Sequence, residues 1–252
     1  MKEYIISKFV QGYKIIANKS YILKLNRDEL NLVKVCKKYN FSTTAEYNLW
    51  QFFNSYKKIY KNQVQGSFVE CGVWKGIYLV FIQKLNEYYN LNNRKIYGYD
   101  TFEGNPRPLE KNDDINVDKY GNSLIKEYDY KKMDDNTSGW NNASLDNVQE
   151  NFNQNTQPNN NLILIKGKVE DTLLDEKNLP EKIAILKLDT NFYESFKIEL
   201  EILAPKVQKN GIIIIDNYYS YKGIQKATDE YLQKNKLKVE FNRISRNAII
   251  YI

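Results

Sequence analysis

Four carboxylates stand at or near the ends of apolar runs in this 252-residue chain. They are Glu70 in SFVECGV (67–73), Asp100 in KIYGYD (95–100), Asp189 in IAILKLD (183–189) and Asp216 in GIIIID (211–216). Amides follow two of them: Asn191 two residues after Asp189, and Asn217 directly after Asp216. A carboxylate so placed can accept a proton, grip a hydroxyl or face a cation, whereas an amide brings no charge, although its oxygen can still ligate a metal. The chain has no histidine, which excludes Ser-His-Asp triads, Cys-His pairs, His-ligated zinc and imidazole bases together. Proton transfer must fall to a carboxylate, lysine, tyrosine, cysteine or water.

Those acids need a scaffold that gathers strand ends. The four runs and LILIKG (162–167) are mostly apolar on both faces, as strands of a covered parallel sheet are. Helical stretches such as Ile77 to Asn90 and Phe192 to Gln208 separate several of them. KVEFNRI (238–244) and NAIIYI (247–252), divided only by Ser245-Arg246, read as an antiparallel hairpin. The expected architecture is α/β: a doubly wound, mostly parallel, seven-stranded Rossmann-like sheet with a C-terminal hairpin. Before it, Leu30, Leu32, Val33 and Cys36, then Tyr47, Leu49, Phe52, Phe53 and Tyr56, recur at helical spacing. They predict a helical N-terminal cap over 1–62, with Ser42-Thr43-Thr44 offering a helix N-cap, ahead of a sheet domain over 63–252. A polar stretch at about 104–161 is too long for an ordinary connection and reads as a lid-like insert. Within it Ser144 is placed to cap a helix, and NQNTQPNNN reads as a flexible approach to the next strand.

The formal net charge of +6 raises the question of nucleic acid, but the lysines are scattered among Asn, Ile and Tyr, with no basic face. Two cysteines cannot build a disulfide framework or a four-ligand zinc site, so a reduced cytoplasmic setting is expected. No run approaches the roughly 18 apolar residues of a membrane span, and MKEYIISKFVQGYKII does not read as a signal peptide.

Ligands of open α/β sheets bind beyond the carboxyl ends of the strands. There the first run gives Glu70-Cys71-Gly72-Val73-Trp74-Lys75-Gly76, an E-x-G-x-x-x-G turn, and Asp100 ends the next strand, the place for an acid that grips ribose. A nicotinamide site would want G-x-G-x-x-G. Glu70 beside a pyrophosphate is unfavourable, whereas beside an amino-acid ammonium or a sulfonium it is favourable. The sign of the charge selects S-adenosylmethionine over a dinucleotide.

FVECGVWKG (68–76), YGYDTFEGNP (97–106), IKGKVEDTLL (165–174), LKLDTNFYES (186–195) and LAPKVQKNGIIIIDNYYSYKGIQKATDEY (203–231) together resemble class I S-adenosylmethionine-dependent methyltransferases. Specifically, they resemble the macrocin O-methyltransferase family of antibiotic and sugar methylation. The resemblance implies that Glu70 and Gly72 meet the methionine end of the cofactor, with Cys71 and Gly76 in the same turn. It places Asp100 on the ribose, Thr101 and Phe102 beside the adenosine, and Lys168, Val169, Glu170 and Asp171 around the adenine. Asp189 would face the cofactor's ammonium and the substrate mouth.

The same family is associated with a divalent metal, usually magnesium, held by D-x-D and D-D acids after the fourth and fifth strands. Here the metal positions read Asn191, Asp216 and Asn217, and only Asp216 keeps its charge. Without histidine, Asp189 or Asp216 is the candidate catalytic base, and Tyr193, Tyr218 and Tyr219 are candidates to orient a sugar. The implied function is O-methylation of a sugar or glycoside hydroxyl in polysaccharide or natural-product biosynthesis, by a homodimer acting on a small-molecule or glycan acceptor. The alternatives are a cofactor-binding homologue with lost or altered (metal-independent or N-methylating) activity, and a nucleic-acid methyltransferase, which would require a basic cluster at the site mouth.

Overall fold

The computed structural model describes residues 25–38, 46–91, 93–109, 111–113, 121, 123–134, 138–237, 239–242 and 247–252. Seven strands, β1 (Ser67–Cys71), β2 (Ile96–Asp100), β3 (Leu162–Lys166), β4 (Ile183–Leu188), β5 (Val207–Ile215), β6 (Val239–Asn242) and β7 (Asn247–Tyr251), form one sheet in the order β3-β2-β1-β4-β5-β7-β6. The first five are parallel, and β7 and β6 close the sheet antiparallel, as the sequence predicts. The chain order reverses between β1 and β4, which makes their carboxyl ends the switch point where ligands of such sheets bind. The predicted cap residues 42–44 and the hairpin turn 245–246 lie outside the described residues.

Alternation along each strand sends side chains to two cores. On one face, α2 (Glu46–Lys61) and α3 (Ile77–Tyr88) pack Phe52, Phe53, Tyr56, Leu79 and Phe81 against Phe68, Ile185 and Ile212. On the other, α7 (Tyr193–Ile202) and α8 (Lys222–Asn235) pack Phe196, Leu200 and Ile224 against Val69, Leu186 and Ile213. At about 1.5–3 kcal/mol for each fully buried large apolar side chain, these layers supply the main stabilisation. The N-terminal helices α1 (Arg27–Lys38) and α2 are part of this arrangement: Val33, Leu49 and Ile59 belong to the same core as the sheet. The helix expected to continue to Gln208 stops at Ile202, and a single 3-10 turn (Ala204–Lys206) leads into β5. Pro205 is the cause, since it has no N–H to donate and its ring clashes with the preceding turn.

The described part of the insert is folded and packed onto the sheet domain. It carries α4 (Leu124–Lys131), capped by Ser123, and α5 (Leu145–Asn155), capped by Ser144 as expected. Its Leu124, Tyr128 and Trp140 form a small core with Phe192 from the β4–α7 loop, and Tyr221 packs against it. The NQNTQPNNN segment is more ordered than its composition suggests. Thr156 Oγ1 donates to the Phe152 carbonyl, Asn161 N to Asn159 Oδ1, and Asn161 Nδ2 to Gln83 Oε1. Asparagine side chains here supply the backbone partners that a strand or helix would otherwise provide. After β3 come the short α6 (Val169–Thr172) and a 3-10 turn (Glu176–Asn178).

Candidate active site

Gly72 leaves β1 at φ 83°, and a Cβ there would lie 2.4 Å from the Asp189 carbonyl oxygen. Only glycine lets the turn after β1 touch the end of β4 this closely. Asp189 N donates to the Cys71 carbonyl at 2.8 Å, which completes the junction. The turn is tied to β2 by Asp100, whose Oδ2 accepts from Val73 N (2.7 Å) and Trp74 N (2.9 Å). Asp100 Oδ1 accepts from Phe102 N (2.9 Å) and the Thr101 hydroxyl (3.3 Å). Burial raises the Asp100 pKa, and these hydrogen bonds oppose the shift.

A cavity of about 50 Å³ lies over this junction. It is lined by Gly72, Asp100, Thr101, Lys168, Val169, Glu170 and Asp189 from the expected cofactor set, and by Thr190 and Ser195. Through Thr101, Gly104, Pro106, Gly167 and Lys168 it adjoins a larger cavity of about 730 Å³, roofed by Arg107, Tyr128 and Asp134 of the insert. The smaller space reaches the strand ends at Gly72 and Asp189. Ser195 Oγ donates to Glu170 Oε1 at 2.6 Å, so Glu170 links α6 to α7 at the cavity wall. Not every expected residue lines these spaces. Cys71 and Phe102 are buried in the two cores, Gly76 starts α3 in a left-handed conformation, and Asp171 is exposed on α6.

Behind the junction lies a group that the motif reading overlooked. Lys187 is buried on β4, and its Nζ stands 2.7 Å from Asp189 Oδ2, 3.2 Å from Glu70 Oε1 and 3.6 Å from Asp216 Oδ2. The signal was present in IAILKLD, where a lysine interrupts a run otherwise apolar on both faces. A buried lysine is tolerated only when it is paired, and here three carboxylates supply the partners. They outweigh burial and hold the Lys187 pKa well above its usual value. Burial pushes Glu70 up to about 7, against the pull of Lys187. Asp189 is also raised, by burial first and Asp216 second, with Lys187 opposing. A quarter of the Asp189 side chain remains exposed, and Asp189 lines the cavity.

The amides take their places around Asp189. Asn191 is buried at φ 79° and Asn217 stands at φ 57°. Asparagine is among the few non-glycine residues that visit this left-handed region readily. Asn217 Nδ2 donates to Asp189 Oδ1 at 3.3 Å, and Asn217 Oδ1 accepts from the Ser220 hydroxyl at 3.3 Å. Two of the three tyrosines expected to orient a sugar are committed elsewhere, and the third, Tyr219, packs its ring against Tyr218 and Phe241. Tyr193 and Tyr218 are buried and donate to Glu230 and Asp229 of α8, at 2.7 and 2.6 Å.

Three carboxylates against one ammonium leave a site that seeks positive charge, and Glu70 Oε2 is buried without a partner among the described residues. That donor set fits the sulfonium and ammonium of S-adenosylmethionine and opposes a pyrophosphate. The strand order, the glycine turn and these acids define a Rossmann-like, S-adenosylmethionine-dependent methyltransferase. The chain belongs to the macrocin-O-methyltransferase (TylF) family, whose model matches residues 36–252. It is 27% identical over 191 residues to demethyldecarbamoylnovobiocin O-methyltransferase of Streptomyces niveus, covering 75% of this chain and 67% of that protein. It is 25% identical over 192 residues to mycinamicin III 3''-O-methyltransferase of Micromonospora griseorubida, covering 76% and 70%. The solved structure of the O-methyltransferase NovP shares the fold, with a TM-score of 0.71 at 20% identity over 96% of this chain and 98% of that one. No helix among the described residues is long and apolar enough to cross a membrane.

Proposed function

We propose that this methyltransferase acts on a hydroxyl of a sugar or glycoside in polysaccharide or natural-product biosynthesis, with Asp189 receiving the proton. The observation that carries the reading is Asp189 itself, which lines the cofactor cavity while its two oxygens are held by Lys187 and Asn217. A bound S-adenosylmethionine supplies an electrophilic methyl group. The chain then has to align a nucleophile and accept its proton. Of the two candidate bases, Asp189 lines the cavity, whereas Asp216 does not and accepts from its neighbour Asn217 N at 2.9 Å. Glu70 faces the methionine end from behind β1, and Gly72, Thr101, Lys168, Val169 and Glu170 border the cofactor. Asp100 reaches the ribose by exchanging its long Thr101 bond for a ribose hydroxyl. The sugar assignment draws on relatives named for the 3''-position of mycinamicin III and for a rhamnosyl tetracenomycin.

The test is to incubate the protein with S-adenosylmethionine and a panel of nucleoside-diphosphate hexoses and aryl glycosides, then look by mass spectrometry for one added methyl group. Methylation of an amine in place of every hydroxyl would overturn the O-methylation reading. Cofactor binding with no transfer to any acceptor would favour the second reading, a homologue with lost or altered activity, which the uncharged Asn191 and Asn217 support. We further expect a cytoplasmic homodimer. Buried, unpaired Cys71 suits a reducing compartment, and light scattering checks the assembly.

A further inference from the structure

Each carboxylate oxygen at the β4 and β5 ends already faces a donor. Asp189 Oδ2 faces the Lys187 ammonium and Asp189 Oδ1 the Asn217 amide N–H. Asp216 Oδ1 accepts from Asn217 N, and its Oδ2 lies 3.6 Å from Lys187. The Asn217 side-chain oxygen is engaged by Ser220. Magnesium requires several oxygens converging on one point, with one or two carboxylates among them. Among the described residues, no group of three or more acids, cysteines or histidines is arranged to hold a metal ion. The expected metal set of Asn191, Asp216 and Asn217 holds a single carboxylate, both of whose oxygens face donors, so it does not fit the ion, and the centre of the acids is occupied by an ammonium. The Tyr78 ring, its centroid 4.3 Å from Lys187 Nζ, adds a cation–π contact to that ammonium.

We infer that Lys187 is the resident cation of the methyl-transfer site, and that its ammonium, with the Asn217 N–H, positions Asp189 so that transfer needs no divalent metal. Lys187 is a positioning residue: it acts through Asp189 and Glu70 and stands behind the cavity. A divalent ion added here would compete with it for the same oxygens. The inference rests on the methyltransferase reading above, and the two fail by different results.

The full-length protein, saturated with S-adenosylhomocysteine, is titrated with Mn²⁺ and followed by electron paramagnetic resonance. The wild type is expected to leave Mn²⁺ free. Lys187→Met strips three carboxylates of their cation and is expected to bind Mn²⁺ at least about tenfold more tightly. Circular dichroism reports whether that variant folds, and Asn217→Asp, which replaces a donor beside Asp189 by an acceptor, serves as the second variant expected to gain Mn²⁺. On any hexose or glycoside of the panel that is methylated, EDTA should leave kcat unchanged. Lys187→Met should lower kcat about a hundredfold with little change in KM for the cofactor, and Lys187→Arg should restore most of it. Stoichiometric Mn²⁺ on the wild type, turnover lost in EDTA and restored by magnesium, or full kcat in a folded Lys187→Met protein each overturns the inference and leaves the methyltransferase reading standing. Failure to bind S-adenosylmethionine with or without metal overturns both.

Discussion

Asp113 of the insert accepts a hydrogen bond from the backbone N–H of Tyr193, the first residue of α7, at 3.0 Å. The insert is thereby latched to the helix that follows Asp189 and Asn191. Two further bonds reinforce the latch: Asn112 Nδ2 donates to Glu194 Oε1 at 2.8 Å, and Lys226 Nζ donates to Asn112 Oδ1 at 2.7 Å.

The latch leaves no room on α8. A Cβ at Gly223 would lie 2.0 Å from Asp113 Oδ1. Gly223→Ala should therefore destabilise the wild type by about 1–3 kcal/mol and cost markedly less in an Asp113→Ala background. Urea denaturation of the four proteins checks it, and equal costs in both backgrounds would show that the two residues do not meet.

Phe192 fastens the other side of the insert, edge-to-face with Trp140 at 6.0 Å between ring centroids. Phe192→Ala should cost about 3 kcal/mol if the insert unfolds only locally around the vacancy. Limited proteolysis within 104–161 is expected to accelerate while the sheet domain stays intact, and Trp140 fluorescence should shift to the red.

Gly72 combines a left-handed backbone with the contact to Asp189. Gly72→Ala is expected to lose about 1–3 kcal/mol of stability through backbone strain alone, and cofactor binding with it as the β1 and β4 ends separate. Denaturant melts paired with calorimetric titration of S-adenosylmethionine measure both losses.

Glu70 gives the pH dependence. Its folded pKa is about 7, raised mainly by burial from an ordinary value of 4.5. The folded state thus holds a proton that the unfolded chain releases, so this contribution to stability is full below about 4.5 and is lost as pH rises through about 7. The slope should not exceed about 1.4 kcal/mol per pH unit for one proton. Cofactor affinity runs the opposite way, strengthening through the same window as ionised Glu70 meets a cation. Glu70→Gln should flatten both curves, and melting and titration between pH 5 and 8 would show whether it does.

Periodicity and strand-end logic were enough to read the sheet, because alternating burial leaves a direct imprint on IAILKLD and GIIIID. The acids at the switch point were legible for the same reason. Lys187 was not read as part of the site, because its partners Glu70 and Asp216 are 117 and 29 residues distant along the chain and meet it only across neighbouring strands. Asp113 was hidden likewise: nothing local distinguishes it within DDINVD until α7 and α8 are packed beside it. The asparagines were read as lost charges. Their left-handed backbone shows that shape also selects them.

The main-chain contact between Gly72 and Asp189 has a further consequence. The ends of β1 and β4, to which we assign the methyl donor and the proton acceptor, abut without an intervening side chain, so the span between them is set by the polypeptide itself. Substitutions in the insert, whose Arg107, Tyr128 and Asp134 line the larger cavity, are expected to reshape that chamber without altering the span. Retargeting this protein by engineering should therefore begin in 104–161 and leave the β1–β4 seam untouched, because the seam works as a fixed gauge.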